Sequence, residues 1–341
     1  MAECDTRVIS IDPATPDPTA LLEAAALIRA GQLVAFPTET VYGLGGDGLN
    51  PVGLRRIYAV KGRPPDNPLI LHVARPDQLP SVAVEVPEIA DVLMRTFWPG
   101  PLTLILPKTP RVPDLATGRL ATVAVRMPDH PVALALIRQS GTPLAAPSAN
   151  RSGRPSPTTA QHVLDDLHGT IPLILDGGPT AIGVESTVLD TTCTPPVLLR
   201  PGGVAQDAIE AIIGRLGANA DAALRRRSPG TRYRHYSPKA RILLVENASL
   251  GAFQRTVEVA RGRHHRVGCL LHRLTLVDMP TGVVSRRIGG CVSDYARSLF
   301  AALRDLDALG VEVIIVEGVC EEGLGAAVMD RLRRAASPPE S

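Results

Sequence analysis

Two cations stand close together at the start of the segment KGRPPDNPLILHV, residues 61–73. Lys61 could act as a point charge toward a phosphate, and Arg63 could offer it two parallel N–H donors. An isolated pair of this kind is also common in solvated loops, so a plain loop is the alternative interpretation. His72 alternates with apolar neighbours and could be a buried core residue, but its spacing from Lys61 makes it a candidate ligand. The segment therefore indicates either an anion-binding site or a solvated loop.

The segment FPTETVYGLGGDGLN, residues 36–50, places hydroxyls, an acid and several glycines after a predicted strand. Glycines there let backbone amides approach a ligand, although a plain turn fits the same composition. Gly43, Gly45 and Gly48 form a nominal G-x-G-x-x-G, yet six residues separate the first of them from the strand, and Pro51 follows soon after the last. A dinucleotide-binding fingerprint needs a helix at that point, so we exclude that interpretation.

A second hydroxyl-rich segment, APSANRSGRPSPTTA at residues 146–160, lies between a predicted strand and a predicted helix. Thr158 or Thr159 suits the N-cap of that helix. Hydroxyls and helix-terminal amides there could hold phosphate or adenine, and a capped surface loop is the alternative. Arg126 and Arg200 each end a predicted strand, where an arginine can line a crevice or form a surface ion pair.

The segment RRRSPGTRYRHYSPKAR, residues 225–241, contains seven Arg or Lys, two tyrosines and no acid. This composition suits a phosphate-rich ligand or RNA, and an exposed flexible linker is the alternative. The formal net charge of the whole chain is only +2, so the overall charge does not decide between these partners. Phe, Trp and Tyr make up only 3% of the chain, which argues against recognition of single strands by base stacking.

Several common kinds of site are missing from the sequence. It contains no G-x-x-x-x-G-K-[ST], so ATP would have to bind without a P-loop, and it contains no H-E-x-x-H or G-x-S-x-G. Its five cysteines are scattered and include no C-x-x-C pair, which argues against a zinc site or a disulfide framework. No apolar run approaches the ~18 residues of a membrane helix, and the first residues are polar, so we expect a cytoplasmic protein with no membrane partner.

Alternating strand and helix patterns predict an α/β fold. Strands are predicted at residues 33–36, 69–73, 102–106, 122–127, 172–176 and 186–190, and helices at 18–30, 54–60, 87–97, 131–139, 158–167 and 206–216. Their irregular spacing favours a twisted mixed sheet over a regular doubly wound repeat. Periodicity is lost after residue 216, which predicts a linker, and three apolar strands with three helices after residue 240 predict a second, smaller α/β domain.

Together these segments resemble the threonylcarbamoyl-AMP synthase family in its long, two-domain form. The blocks that carry the resemblance are, in order, PTETVYGLG, KGRPPDNPLILHV, WPGPLTLIL, TVAVRMPDHP, APSANRSGRPSPT, GVESTVLD, LLRPGG and SPGTRYRHYSP. They cover nearly all of residues 30–240, and Thr231 stands where the last block often has methionine. The resemblance implies a YrdC-like N-terminal domain over residues 1–216 with a basic concave site, a linker over 217–240 that folds over this site, and a Rossmann-like C-terminal domain over 241–337.

The resemblance also implies a reaction. The family makes threonylcarbamoyl-AMP and pyrophosphate from L-threonine, bicarbonate and ATP, and the product is an activated intermediate for modifying a tRNA adenosine. Carried over onto this sequence, the ATP contacts fall on Lys61, Arg63, Asn67, Thr122, Ser148, Asn150, Ser156, Arg200 and Tyr236, and the threonine contacts on Thr38, His72, Arg126, Ala146 and Ser186. Lys61 and Arg63 would be catalytic, because they would offset the repulsion between two anions and stabilise charge as pyrophosphate leaves.

The same resemblance sets expectations for other ligands and partners. Mg²⁺ is expected with the phosphates of ATP, and we predict no metal site made by protein residues. The product would pass to a separate tRNA threonylcarbamoyl transferase, so any contact of this chain with tRNA would be indirect or weak.

Two other interpretations compete with this one. A non-catalytic RNA-binding module would use the same basic residues and would bind RNA in a salt-sensitive manner that does not depend on threonine. A carbamoyl-transfer enzyme of metallocentre maturation would use a related domain. That enzyme would also need acylphosphatase and zinc-finger segments, and this sequence contains neither.

Overall fold

The computed structural model describes residues 4–218, 221–230, 236–246, 249–274 and 281–337. Within these residues the chain forms two β-sheets with helices packed on them, a ten-stranded mixed sheet and a four-stranded parallel sheet. The predicted fold class, a mixed-sheet α/β unit followed by a smaller α/β unit, is confirmed. Thr231, at which the sequence departs from the family pattern, lies outside the described residues.

The ten-stranded sheet brings together segments that are far apart in the chain. Its strands are β1 (Arg7–Ser10), β2 (Val34–Phe36), β3 (Gly43–Asp47), β4 (Ile70–His72), β5 (Leu102–Pro107), β6 (Thr122–Arg126), β7 (Leu144–Ala145), β8 (Leu173–Asp176), β9 (Thr187–Asp190) and β10 (Val197–Arg200). They are ordered β1-β8-β2-β3-β7-β4-β6-β5-β9-β10. Because β4 and β6 are parallel neighbours, their last residues lie at the same edge of the sheet.

The helices of this part of the chain have clear end signals. They are α1 (Pro18–Arg29), α2 (Pro51–Lys61), α3 (Glu88–Phe97), α4 (Asp114–Thr117), α5 (Pro131–Ser140), α6 (Ala160–Leu167), α7 (Gln206–Ile213) and α8 (Ala222–Arg225), with a 3₁₀ helix at Pro76–Ser81. The side chain of Asn50 caps α2 by accepting from the Val52 N–H. Gly62 ends α2 in the left-handed conformation, so Lys61 is the last residue of the helix. Thr159 is the N-cap of α6.

A segment predicted as a glycine-rich turn forms a strand in the structure. Gly43–Asp47 is β3, which pairs antiparallel with β2. Glycine is needed here for space, since a Cβ on Gly45 would lie 2.7 Å from Cε1 of Phe36 and one on Gly48 would lie 2.8 Å from the Pro143 carbonyl oxygen. Glycine usually weakens strands, so local propensity concealed β3, and close packing in the folded sheet decided its conformation.

The smaller sheet has the order β11-β14-β12-β13. Its strands are β11 (Arg241–Val245), β12 (Val267–Leu271), β13 (Val283–Arg287) and β14 (Val313–Glu317), and its helices are α9 (Leu250–Arg261), α10 (Val292–Ala308) and α11 (Leu324–Ala336). The three apolar strands predicted from sequence are confirmed. β13 was not predicted because Ser285, Arg286 and Arg287 are exposed on this edge strand and leave no apolar run.

The two units share a buried apolar cluster. Val41 and Val184 from the first unit pack in the same cluster as Leu299 and Phe300 of α10. None of the described helices is long and apolar enough to cross a membrane. The residue limits predicted for the two domains and the linker stay a prediction.

Candidate active site

A cavity of about 650 Å³, part of it open to solvent, lies at the ends of β4 and β6. Eleven of the predicted site residues line the cavity, namely Thr38, Arg63, His72, Arg126, Ala146, Ser148, Asn150, Ser156, Ser186, Arg200 and Tyr236. Residues that are far apart in the sequence therefore meet at one place.

The paired ends of β4 and β6 form one wall of the cavity. The parallel register places His72 opposite Arg126. The buried Arg126 guanidinium donates to Gly100 O at 3.1 Å and to Thr40 Oγ1 at 3.0 Å. Its Nη2 also lies 2.6 Å from Oε1 of the buried Glu39. A buried charge requires a partner, and Glu39 supplies the opposite charge for Arg126.

His72 is neutral in this wall. Burial lowers the pKa of its imidazole to about 3, and the positive charge of Arg126 acts in the same direction. Its Nδ1 has no hydrogen-bond partner among the residues that the structure describes. A neutral imidazole can accept or donate one hydrogen bond without placing a second cation beside Arg126.

Two hydroxyls of the cavity are oriented by the protein itself. Thr38 Oγ1 donates to Val41 O at 2.6 Å and accepts from the Val41 N–H at 3.2 Å, which closes a tight turn. Ser186 Oγ lies 2.8 Å from Thr103 Oγ1 and accepts from Arg200 Nη2 at 3.1 Å. A ligand would therefore meet a polar surface whose orientation is already set.

Lys61 lies behind the cavity and is not one of the residues that line it. Its Nζ donates to Ser148 O at 2.5 Å and also to Asn150 O, so it ties the end of α2 to the hydroxyl-rich loop. Burial lowers the pKa of Lys61, and the neighbouring charge of Arg63 adds to this effect. The charges of Asp166 and Glu185 act in the opposite direction. The Lys61 amino group lies directly behind residues that face the ligand space.

Arg63 faces the cavity and is fixed from behind. Its guanidinium donates to Asn67 Oδ1 and to Pro68 O, both at 2.7 Å. The Gly230 N–H donates to the same Asn67 oxygen at 3.2 Å, so Asn67 supports Arg63 without lining the cavity. Burial lowers the pKa values of Arg63 and Arg200 to about 10, which leaves both residues charged at neutral pH.

The hydroxyl-rich segment forms another wall. Ser148 Oγ donates to Asn150 Oδ1 at 2.6 Å, and Asn150 Nδ2 donates to Arg154 O at 2.8 Å, so this loop is partly fixed by its own side chains. Ser156 Oγ donates at 2.5 Å to Oε1 of the buried Glu185. The wall presents hydroxyl and amide groups beside the arginines.

Tyr236 lies where the second unit meets the cavity. Its ring stacks on Phe300 with 5.3 Å between centroids and 21° between planes, and Arg331 Cζ lies 5.3 Å from the ring centroid. The φ angle of Tyr236 is 65°, in the left-handed region that few non-glycine residues adopt. Surrounding contacts must impose this conformation, and they place the residue on the cavity wall together with Gly230.

Thr122 and Ala146 occupy different places relative to the cavity. Thr122 begins β6 opposite Pro107 and does not line the cavity. Ala146 does line it, and its backbone N–H donates to Ile70 O at 3.1 Å. The contacts predicted for these and the other site residues with substrate stay predictions.

Two buried glutamates at the site were not among the predicted residues. Glu39 pairs with Arg126, and Glu185 accepts from Arg331 Nε at 2.7 Å. Each acid stands next to a hydroxyl residue inside a block that the sequence analysis had singled out, PTETVYGLG and GVESTVLD. Their position inside these blocks could have marked the two glutamates as site residues. Their pairing with arginines could not be predicted, because the arginines are distant in sequence.

The two buried glutamates at the site are paired with cations of the protein. Glu39 and Glu185 are each held by an arginine, and the described residues include no group of three or more His, Cys, Asp or Glu that could hold a metal. A Mg²⁺ ion would need oxygen ligands from another source, such as the phosphates of a nucleotide. The expectation of Mg²⁺ with ATP stays a prediction.

These observations define a class of protein: a two-unit α/β chain with an anion-binding cavity built from buried arginines and hydroxyls, without a P-loop. The chain belongs to the threonylcarbamoyl-AMP synthase family. A family model described as "Telomere recombination" matches residues 26–202, and one described as "Threonylcarbamoyl-AMP synthase, C-terminal domain" matches residues 204–337. The family predicted from the motifs is therefore confirmed.

Similar proteins cover nearly the whole chain. The threonylcarbamoyl-AMP synthase of Pyrococcus abyssi is 50% identical over 319 residues, which is 92% of this chain and 92% of that protein. The threonylcarbamoyl-AMP synthase of Bacillus subtilis is 47% identical over 332 residues, 94% of each. The crystal structure of P. abyssi Sua5 complexed with L-threonine has a TM-score of 0.88 at 46% identity and covers 97% of each chain.

Proposed function

We propose that this chain is a nucleotidyltransferase that converts L-threonine, bicarbonate and ATP into threonylcarbamoyl-AMP and pyrophosphate, for the threonylcarbamoyladenosine modification of tRNA. The observation that carries the proposal is the convergence of Arg63, Arg126 and Arg200 on one cavity rich in hydroxyls. Three guanidiniums suit a carboxylate beside a triphosphate. The names of the relatives, and the L-threonine bound to the P. abyssi protein, support the same reaction.

The reaction joins two steps. The amine of threonine adds to carbon dioxide derived from bicarbonate, which forms an N–C bond and releases a proton to give a carbamate. A carbamate oxygen then attacks the α-phosphorus of ATP, and the bond from that phosphorus to its bridging oxygen breaks as pyrophosphate leaves with the bonding electrons. No covalent enzyme intermediate is needed, so the protein contributes positioning and charge.

We assign threonine to the wall at the ends of β4 and β6. The residues assigned to it are Thr38, His72, Arg126, Ala146 and Ser186. Arg126 would bind the carboxylate of threonine, with Glu39 keeping the guanidinium aligned from its other side. The neutral His72 would form a hydrogen bond with the ligand and would not repel its ammonium group.

We assign ATP to the wall formed by the basic segment, the hydroxyl-rich loop and the residues around Tyr236. The residues assigned to it are Lys61, Arg63, Asn67, Thr122, Ser148, Asn150, Ser156, Arg200 and Tyr236. Arg63 and Arg200 are charged at neutral pH and would offset the repulsion between the carbamate and the triphosphate. Lys61 would add its charge from behind and hold the loop that carries Ser148.

We propose a separate role for each predicted domain. Residues 1–216 would form the synthase domain, 217–240 a linker that folds over the site, and 241–337 the C-terminal domain. The positions of Gly230 and Tyr236 on the cavity wall support this role for the linker, since closure would exclude water from a labile product. Hand-off to a separate tRNA threonylcarbamoyl transferase in the cytoplasm would complete the modification.

The test is pyrophosphate release from ATP and bicarbonate, with and without L-threonine, together with mass analysis for threonylcarbamoyl-AMP. We expect release that depends on threonine and a mass that matches the adduct. Release without dependence on threonine, or no adduct, contradicts the proposal.

A non-catalytic RNA-binding module is the alternative outcome of that experiment. It would show no adduct and tight, salt-sensitive RNA binding. The burial of Arg63, Arg126 and Arg200 supports a small anionic ligand instead, because the phosphates of a folded RNA need cations on an exposed surface.

A further inference from the structure

A buried ion pair connects the second unit to the proposed ATP wall. Arg331 of α11 is 1% exposed, and its Nε donates to Glu185 Oε2 at 2.7 Å. The other oxygen of Glu185 accepts from Ser156 Oγ at 2.5 Å. Arg331 of the second unit is therefore linked, through the carboxylate of Glu185, to the Ser156 hydroxyl on the cavity wall.

Arg304 of α10 is a second buried arginine, and it contacts the loop that contains Ser156. Nη2 of Arg304 donates to Asp166 Oδ2 at 2.8 Å and to Pro155 O at 2.5 Å. Asp166 also pairs with Arg154 Nη1 at 2.6 Å. The carbonyl just before Ser156 is thus held directly by the second unit.

The chain that enters the second unit adds a third contact to this loop. The Ser237 N–H donates to Gly153 O at 2.7 Å, while Ser237 Oγ donates to Ala335 O of α11 at 3.2 Å. The preceding residue, Tyr236, is stacked on Phe300 of α10. Loop and tyrosine are therefore positioned by the same two helices.

The three contacts converge on residues 153–156, a short stretch with no helix or strand of its own. A loop with Gly and Pro has little intrinsic preference for one conformation, so external contacts decide where Ser156 points. An arrangement that served only to join the two units could place its ion pairs anywhere on the interface. Here one buried pair ends on Glu185, which binds Ser156, and the arginine of the other pair also donates to the loop carbonyl of Pro155.

We propose that Arg331 and Arg304 are positioning residues for the ATP wall, so that the C-terminal unit completes the nucleotide site of the N-terminal sheet. Arg331 orients Glu185, which orients Ser156, and it also packs against the ring of Tyr236. This inference rests on the proposed function, because it takes ATP as the ligand of this wall. The threonine wall, by contrast, is held within the first sheet.

The test uses the full chain with Arg331→Met, a substitution that keeps the length of the apolar stem and removes the guanidinium. We expect the Kd and the KM for ATP to rise by about tenfold, while the KM for threonine changes by less than about twofold. Calorimetric titration measures the Kd for ATP, and the pyrophosphate assay measures the KM for ATP and the KM for threonine. Equal effects on both substrates would show a general loss of folded protein and would overturn the inference.

A double variant separates positioning from simple charge neutralisation. Arg331→Met leaves Glu185 buried without its partner, which destabilises the fold. Adding Glu185→Gln removes the unpaired charge, and the amide oxygen of the glutamine can still accept a hydrogen bond from Ser156 Oγ. We expect the double variant to regain most of its stability toward urea and to keep the weak ATP binding. Recovery of wild-type ATP affinity in the double variant would refute a positioning role. The matched control is Arg333→Met on the same helix, whose guanidinium pairs with the exposed Glu246 and Glu321.

Hydrogen exchange tests the loop directly. Arg304→Met should increase amide exchange in residues 151–158 and leave residues 122–126 of β6 unchanged. Unchanged exchange in the loop would contradict the role given to Arg304. A wild-type chain that binds ATP but forms no adduct would refute the proposed function alone, since the ATP Kd values still test the positioning. A wild-type chain that binds no ATP would overturn both.

Discussion

The two walls of the cavity are built by different means. On the threonine wall, His72 and Arg126 end neighbouring strands and are aligned by the hydrogen-bond register of a single sheet. On the ATP wall, Ser156 lies in a loop whose position depends on ion pairs from another unit of the chain. A sheet edge can therefore hold ligand groups through its backbone, whereas a loop needs long-range side-chain contacts to do so.

The largest effect is expected at Lys61, which lies behind the ATP wall. The substitution Lys61→Ala removes the buried amino group and releases the carbonyls of Ser148 and Asn150. We expect turnover to fall by about a thousandfold with the fold intact, because charge stabilisation at the departing pyrophosphate is lost. Arg63→Ala should have a loss of similar size. The measurement is the rate of threonine-dependent pyrophosphate release.

Lys108→Ala is the control for Lys61→Ala, since Lys108 pairs with the exposed Asp114 away from the cavity. Its turnover should match that of the wild type. Wild-type turnover in Lys61→Ala would refute the electrostatic role, and circular dichroism distinguishes loss of activity from loss of fold.

An intermediate effect is expected for Arg126→Gln, which probes the threonine wall alone. We expect kcat/KM for threonine to fall by about a hundredfold, while the Kd for ATP stays within about twofold of the wild type. Stability should also fall, because Glu39 loses its buried partner. Arg95→Gln, at an exposed surface ion pair, is the control. If the Kd for ATP rose by as large a factor as kcat/KM for threonine fell, the two walls would not bind separate substrates.

The smallest effect is a change in the pH dependence of stability, measured with His72→Leu. The pKa of His72 is about 3 in the folded chain and near its ordinary value when unfolded, so between these values the unfolded chain binds more protons. Stability therefore falls as pH drops below about 6.5, by roughly 2 kcal/mol at pH 5 from this residue.

Urea unfolding of the wild type and of His72→Leu at pH 7 and pH 5 checks this expectation. The loss of stability between the two pH values should be smaller in the variant by about 2 kcal/mol. Parallel losses in the two proteins would mean that His72 stays solvated or charged in the folded state.

Much of the fold was predictable because its signals are local. Apolar runs marked β4, β5 and β6, and Thr159 marked the start of α6 as its N-cap. The helix predicted at 54–60 is longer in the structure, where α2 spans Pro51–Lys61. β3 and β13 were missed for opposite reasons. Glycines in β3 weaken strand propensity but make room for Phe36, and the exposed arginines of β13 remove the apolar pattern of a strand.

The site was predictable to a similar degree. The motifs named eleven residues that line the cavity, but Lys61, Asn67 and Thr122 do not line it. Which side chain faces the cavity and which supports it from behind depends on the angle at which α2 and the loops meet the sheet. Residue type does not encode that angle.

The α/β class, the family, and the set of arginines and hydroxyls available for an anionic ligand could all be inferred from the amino-acid sequence. These features are carried by residue types and by spacing between near neighbours. Three features became visible only in the folded chain: Glu39 pairs with Arg126, Glu185 joins Arg331 to Ser156, and α10 and α11 reach the ATP wall. The physical reason is that a buried ion pair between distant segments is selected by packing and by exclusion of water, and neither leaves a pattern along the chain.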